Sequence, residues 1–555
     1  MNIESINKQI FHNPILPGFY PDPSICRVGE EYYMINSSFA FFPGVPIFKS
    51  TDLVNWEQIG HVLDRESQLN LDGAGYSGGI FAPTIRYHEG MFYVITTNIG
   101  NGGNFIVTAK DPKGPWSNPY WIEGAEGMDP SLFFDEDGKA YYTGTRTSEN
   151  PEYMGDHEIW LQEIDLNTMK LKGDSHILWK GALKNASFVE GPHIYKVNDF
   201  YYLLISEGGT QHYHSVTIAR CKNILGPYEG NPGNPILTHR HLGKGYPISN
   251  AGHADLVETQ NGQWYMVALA SRPYGGDYKN LGRETFLIPV TWEDEWPIVS
   301  PGTGKIEFKY PMPNLPTSFI SKCEIRDDFD NEVLGYKWNT IRTPKEQFWS
   351  LKERLGFLRL RVIPTGMLDI LNPPPFGPFV NYKKEGNDES PSFIGRRQQH
   401  INFEAATKME FNPQNEYEAA GISLVQNDNH QFRLEYSIKS GQKVIRLIKC
   451  ISKSNVDFGN AAFSYENIES KIAEKIFDSE VIYLKVIARG QDYSFYYGTS
   501  PNEMKALAEN IDGRILSSDI AEGFVGTYIG LFASSNGEAS DNIADFDYFD
   551  YEGQE

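Results

Sequence analysis

Three acidic residues occupy matching places in a recurring pattern. Asp22 stands in Tyr20-Pro21-Asp22-Pro23-Ser24, Asp129 in Met128-Asp129-Pro130-Ser131, and Glu190 in Val189-Glu190-Gly191-Pro192-His193. Each alone has a dull explanation, because Asp before Pro caps turns and Glu-Gly-Pro is ordinary loop chemistry. Three carboxylates delivered to one cleft are different, since like charges held close destabilise a fold unless the site uses them. Cleavage of a glycosidic bond uses such a set. One protonated carboxyl donates to the leaving oxygen and an ionised one activates the attacking group. A third nearby raises the pKa of the acid by repulsion.

The elements that must position these acids are repeats. Phe81-Ala82-Pro83-Thr84 and Gly252-His253-Ala254-Asp255 open in the same way, and all five openings lead into a short apolar strand, a polar turn and an aromatic-rich strand. Pro23, Pro83, Pro130, Pro192 and Ala254 are about 60, 47, 62 and 62 residues apart, somewhat longer than the roughly 40–50 residues of common propeller blades. Five repeats imply five blades. In a propeller the first strand of each blade runs beside the axis, so its opening residue faces one central cavity. The x-Pro step is expected to hold that residue extended. The residues so aimed are Asp22, Ala82, Asp129, Glu190 and His253.

Composition agrees with an all-β chain. Among 555 residues there are 52 Gly and 33 Pro, and aromatics reach 14%, which favours strands and tight turns over helices. The net charge of −23 disfavours nucleic acid and anionic membrane as partners and is compatible with a neutral sugar. Cys26, Cys221, Cys323 and Cys450 are scattered, so buried free thiols are expected rather than disulfides or a zinc site. The opening MNIESINKQIFHNP has no basic and apolar leader pattern, and no apolar run is long enough for a membrane span, so a cytoplasmic enzyme is expected.

Residues 1–12 read as a polar N-terminal arm, 13–301 as the propeller and 302–325 as a Pro/Gly-rich linker. Residues 326–555 alternate in strands such as His430-Gln431-Phe432-Arg433-Leu434-Glu435-Tyr436 and read as one β-sandwich without the five-fold repeat.

The segments YPDPS, GGIFAP, MDPSL, VEGPH, GHADLV and GRETF, with the C-terminal sandwich, resemble glycoside hydrolase family 43, the inverting β-xylosidases and α-L-arabinofuranosidases. The resemblance covers nearly the whole chain. It implies a five-bladed propeller followed by a concanavalin-like sandwich. It also implies Asp22 as general base, Asp129 as pKa modulator and Glu190 as general acid, with no cofactor required. Arg283, in Gly282-Arg283-Glu284-Thr285, is implied to contact the sugar and the carboxylates, as a guanidinium can bind a diol with two hydrogen bonds. In some relatives the residue matching His253 sits by a central water or Ca2+ ion, so an ion beside His253 is an expectation the resemblance carries. Phe39 and Phe81 match subsite aromatics, suited to the apolar C–H faces of sugars, and Phe81 stands where many such xylosidases have Trp. Thr210 is expected as a hydroxyl contact. The sandwich is expected to send a loop to the cleft, through Phe524 or Tyr528, which would leave room for a terminal sugar only. His212 and His214 read as loop or rim residues, and His239-Arg240-His241 as a solvated loop. The expected activity is exo-acting release of terminal β-D-xylose or α-L-arabinofuranose from short oligosaccharides, with a homo-oligomer compatible. The reading weighed against it is a sugar-binding propeller without catalysis.

Overall fold

The computed structural model describes residues 9–317, 325–368, 390–457 and 462–554. Five antiparallel sheets follow one another along the chain as blades. Their innermost strands are Ser24–Val28, Thr84–His88, Met128–Phe134, Glu190–Val197 and Ser249–Glu258, each followed by its aromatic-rich partner. The aromatics of those second strands join one blade to the next. Tyr33 meets Phe92 edge-on with ring centroids 5.0 Å apart, Tyr93 meets Phe134 at 5.3 Å, and Tyr202 meets Trp292 at 5.0 Å. Edge-on aromatic pairs combine large buried area with favourable quadrupole geometry.

The ring closes on one buried carboxylate. Asp255, on the innermost strand of the fifth blade, is fully buried. It accepts from Ser24 Oγ at 2.8 Å and Ile25 N at 3.0 Å in the first blade. Arg86 of the second blade reaches it with Nη1 at 2.8 Å and Nη2 at 3.2 Å, and the Tyr195 hydroxyl of the fourth at 2.5 Å. Burial alone would raise the Asp255 pKa, but the Arg86 charge outweighs it and holds the carboxyl well below the usual range. Four blades are thus tied through one side chain that the sequence reading passed over.

The described parts of the arm and the linker pair with each other. Ile10–His12 pairs with Lys309–Pro311, burying Phe11 against Tyr310. His239, expected in a solvated loop, is buried and accepts the Ile306 N–H at 2.9 Å, pinning the segment after the fifth blade. Apolar Phe11, Ile306 and Tyr310 explain the difference, since burying them outweighs the freedom of the Pro-rich text around them.

The C-terminal sandwich packs a sheet containing Asn402–Phe411, Val481–Arg489 and Ile543–Gln554 against one containing Ala419–Asn427, His430–Lys439 and Tyr528–Ser534. Asn402–Phe411 alternates half-buried and buried positions, as a strand with one wetter face must, whereas every residue of Ala419–Asn427 is buried. The second face of that inner sheet is covered by the propeller. Val425, Tyr528 and Phe532 share a cluster with Phe19, Phe39, Phe41 and Phe81. Backbone joins the two halves as well: Thr340–Ile341 pairs with Phe41–Phe42, and the Arg342 N–H donates to Ala40 O at 2.6 Å. Cys26, Cys221 and Cys450 are buried free thiols; Cys323 lies outside the described residues.

Candidate active site

The acids emerge from a shared backbone device, and it is not the extended x-Pro step expected. Asp22 has φ 51°, Asp129 φ 50° and His253 φ 43°, all left-handed, as is Gly191 at φ 57° after Glu190. In the third, fourth and fifth blades the strand pairing slips at these points, between Met128 and Ser131, between Glu190 and His193, and on both sides of Gly252; Asp22 lies just before its strand, whose pairing is regular. A bulge with a left-handed residue turns the chain so that the side chain leaves the sheet and points into the axis. Such conformations are unfavourable for residues other than Gly, with Asp among the more tolerant, and they cluster at functional sites. In the fourth blade the left-handed place is taken by Gly191, and the acid moves one residue earlier. A Cβ on Gly191 would sit 2.9 Å from the His253 ring, so the glycine also makes room for that imidazole.

Asp22 is the most firmly held of the three. Its Oδ1 accepts from Arg283 Nη1 at 2.8 Å, and its Oδ2 accepts a short hydrogen bond from the Ser37 hydroxyl. Arg283 also reaches Thr210 Oγ1 at 3.3 Å and the Phe524 carbonyl at 3.3 Å. Asp129, Glu190 and His253 form the second group, with one ligand-type atom of each lying within 4.8 Å of the others. His253 Nδ1 is 3.8 Å from Glu190 Oε1, and its backbone N–H donates to Ser206 Oγ at 2.6 Å.

Phe39, Phe81 and Phe524 make the wall. Phe39 lies 5.4 Å from Phe81 and 6.0 Å from Phe524, and the Arg283 guanidinium covers the Phe39 ring at 5.5 Å. Phe524 comes from the sandwich and is fixed by its N–H donating to Ser77 Oγ at 2.8 Å. The approach is close: a Cβ on Gly526 would meet Leu281 O at 2.6 Å. Of the two residues named for this loop, Phe524 reaches the site. Tyr528 does not. It is fully buried and stacks on Phe41 with centroids 3.8 Å apart, so it belongs to the packing between the domains.

One residue of the site was misplaced by sequence reasoning. His214, expected at a loop or rim, is 1% exposed, with Nε2 3.7 Å from Glu190 Oε1. The His-Tyr-His text carries no sign of this, because the burial comes from a neighbouring blade: His214 packs on Gly252, where a Cβ would stand 2.2 Å from its ring.

Proton affinities follow from the crowding. Burial pushes the Asp129 carboxyl up to about 7, with the charges of Glu190 and Asp22 adding to it against His253 and Arg283. Glu190 is also raised by burial, but His214 and His253 outweigh that and hold it below its ordinary value. His253 is lowered by burial, yet the surrounding carboxylates raise it to about 9. Crowding thus favours the protonated form of Asp129 and the ionised form of Glu190.

The group around His253 offers the expected ion few protein oxygens. Ca2+ takes six to eight oxygens, whereas this group offers two carboxylates and one imidazole, with Asp22 already committed to Arg283. Deeper in the channel the Arg86 guanidinium lies 2.9 Å from His193 Nδ1, so positive charge is already built in.

A propeller that gathers acids, an arginine and aromatic rings beneath a sandwich loop defines a glycoside-cleaving enzyme. Family comparison places the chain directly. Residues 11–297 match the model for glycosyl hydrolases family 43, and 326–552 match the beta xylosidase C-terminal concanavalin A-like domain. The chain belongs to glycosyl hydrolase family 43, whose chemistry runs without a cofactor. It is 46% identical over 549 residues to a xylosidase/arabinosidase of Butyrivibrio fibrisolvens, covering 98% of this chain and 99% of that one. It is 39% identical to a non-reducing end alpha-L-arabinofuranosidase of Bacteroides ovatus, over 99% of this chain and 96% of the relative. A xylan beta-1,4-xylosidase structure from Bacillus halodurans superposes with TM-score 0.86 at 34% identity, covering 98% of this chain and all of that one. The same five-bladed propeller and C-terminal sandwich are present in these structures. A purely sugar-binding propeller is not favoured.

Proposed function

We propose that the chain is an exo-acting, inverting pentosidase that removes terminal β-D-xylose or α-L-arabinofuranose from short xylan- or arabinoxylan-derived oligosaccharides. The observation that carries it is the convergence of Asp22, Asp129 and Glu190 from three blades on one pocket, roofed by Phe524 of the sandwich. The names of the relatives support the choice of sugars. Asp22, held by Arg283 and Ser37, is the base that takes a proton from water as that water attacks the anomeric carbon. Glu190 is the acid: its O–H bond breaks as the leaving oxygen gains the proton. The free enzyme favours the proton on Asp129; it passes to Glu190 when substrate binds, and the negative charge left on Asp129 then opposes ionisation of Glu190 until the leaving oxygen takes the proton. Arg283 and Thr210 are placed to receive sugar hydroxyls, and Phe39, Phe81 and Phe524 to cover the C–H faces. With Phe524 over the pocket, one terminal residue is bound at a time. An intracellular place of work and association of copies are further parts of this reading, open to fractionation and to size measurement in solution.

The test is hydrolysis of aryl β-D-xylopyranoside and aryl α-L-arabinofuranoside side by side, with Asp22→Ala as control. Cleavage of either by the parent, with a folded and inactive variant, is the expected result, and the rate ratio ranks the two sugars. Folded protein that cleaves neither would overturn the proposal.

A further inference from the structure

Glu190 is held differently from Asp22 and Asp255. Each of those accepts an arginine hydrogen bond of ordinary length, whereas the nearest basic atoms to Glu190 Oε1 are imidazole nitrogens at 3.7 Å and 3.8 Å. His253 is one of them and opens a blade. The other, His214, comes from the end of a loop in the fourth blade and has no counterpart in the repeat.

His214 is built into place from several sides. Its ring is buried and slotted over Gly252. Its Nδ1 lies 3.0 Å from the carbonyl of Asn250, a left-handed residue at φ 60° that aims this oxygen at the ring. A carbonyl can only accept, so Nδ1 carries the hydrogen and Nε2 is the free position. That Nε2 is buried without a hydrogen-bond partner, and it faces Glu190 a few tenths of an ångström beyond hydrogen-bond length. A buried polar atom left unpaired is unfavourable unless something else makes use of it. The atom it faces is the carboxyl oxygen that must hold a proton, lose it and regain it.

We propose that His214 is the positioning residue of the acid: its Nε2 accepts from protonated Glu190 and, when charged, donates to ionised Glu190, holding one carboxyl orientation through both states. This rests on the reading of Glu190 as general acid. The other titratable groups facing Glu190 are His253, Asp129 and His157, with Asp22 and Arg283 across the pocket acting on Asp129. None of them shares the tautomer lock that Asn250 imposes on His214.

The experiment compares xylobiose, a poor leaving group, with an activated aryl β-D-xylopyranoside in Glu190→Gln, His214→Asn and His214→Gln. A Gln amide can reach the Nε2 position, whereas an Asn amide keeps only the contact to Asn250. His214→Asn should lower kcat on xylobiose about tenfold or more while leaving the activated substrate within about threefold and KM unchanged. It should move the alkaline limb of kcat/KM to higher pH, because an imidazole that favours ionised Glu190 is gone, and His214→Gln should recover part of both effects. Equal losses on both substrates with an unmoved pH limb would overturn the proposal, as would failure of both variants to melt cooperatively. If Glu190→Gln itself fails to discriminate between leaving groups, the acid assignment falls first, and that result is separate from any behaviour of His214.

Discussion

The two ends of the propeller channel hold buried carboxylates in opposite ways. At one end Asp255 is saturated by an arginine, a tyrosine, a serine and a backbone amide drawn from three other blades. At the other end Asp129 is pushed up to about 7 by burial and its acidic neighbours, and Glu190 waits between two imidazoles beyond hydrogen-bond length. The same inner strand, Ser249–Glu258, supplies His253 to one end and Asp255 to the other. Saturation makes a carboxylate a fastener. Incomplete pairing keeps its proton available, and the fastener at one end lets the fold tolerate the crowding at the other.

The largest expected effect separates chemistry from folding. Asp22→Ala and Glu190→Gln should each lower kcat on xylobiose by about 10²–10⁴-fold with thermal stability near that of the parent. Comparable activity in either would break the contrast. Asp255→Asn should act the other way round. It leaves the Arg86 charge buried without its partner, and breaking such a pair costs about 3–5 kcal/mol, to be read as a fall in denaturant midpoint. Replacing Arg86 as well, in Asp255→Asn with Arg86→Met, should recover part of that loss.

Asp129 sharpens the comparison through pH. Its folded pKa of about 7 lies above the ordinary 3.8, so the fold favours its neutral form. That contribution is fully present below pH 3.8 and is lost as pH rises through 7. Asp129→Asn should therefore lose activity yet gain stability relative to the parent, little at pH 4 and on the order of 2–4 kcal/mol at pH 8. A stability difference that does not grow with pH would show that the carboxyl is not protonated in the fold. Phe524→Ala should raise KM about tenfold through lost wall contact and should admit longer chains past the terminal sugar, measured by product analysis. The smallest effect belongs to Tyr528→Phe. Its hydroxyl is buried without a hydrogen-bond partner, so removal should leave activity unchanged and alter stability by less than about 1 kcal/mol.

The repeat made most of this architecture readable, because four of the five blade openings carry an acid or His253 at one matching place, and the remaining one carries Ala82. Asp22, Asp129 and Glu190 could be aligned from the prolines beside them even though the backbone reason was misjudged: a pre-Pro residue reads as extended, and the bulge that turns it left-handed depends on pairing with the next strand. His214 and Asp255 were beyond such reading. Their roles depend on partners in other blades, and only closure of the ring brings Asn250 to one and Arg86 to the other. Phe524 lies in the loop that leads into the strand opened by Tyr528, four residues on, and nothing in their types says which turns toward Arg283 and which toward Phe41. The polar arm hid a strand because three residues are too few to alternate visibly.

The roof over the pocket has a consequence in time. Phe524 is added to the chain more than two hundred residues after the last propeller strand, Trp296–Val299. At roughly 5–20 residues per second, a ribosome takes on the order of tens of seconds to cover that distance. Throughout that interval a finished propeller would present Phe39, Phe41 and Phe81 uncovered, next to a cleft without its end wall. A newborn chain is thus a sticky object before it is a selective enzyme, and whatever shields that aromatic patch during synthesis sets how much of it survives to close.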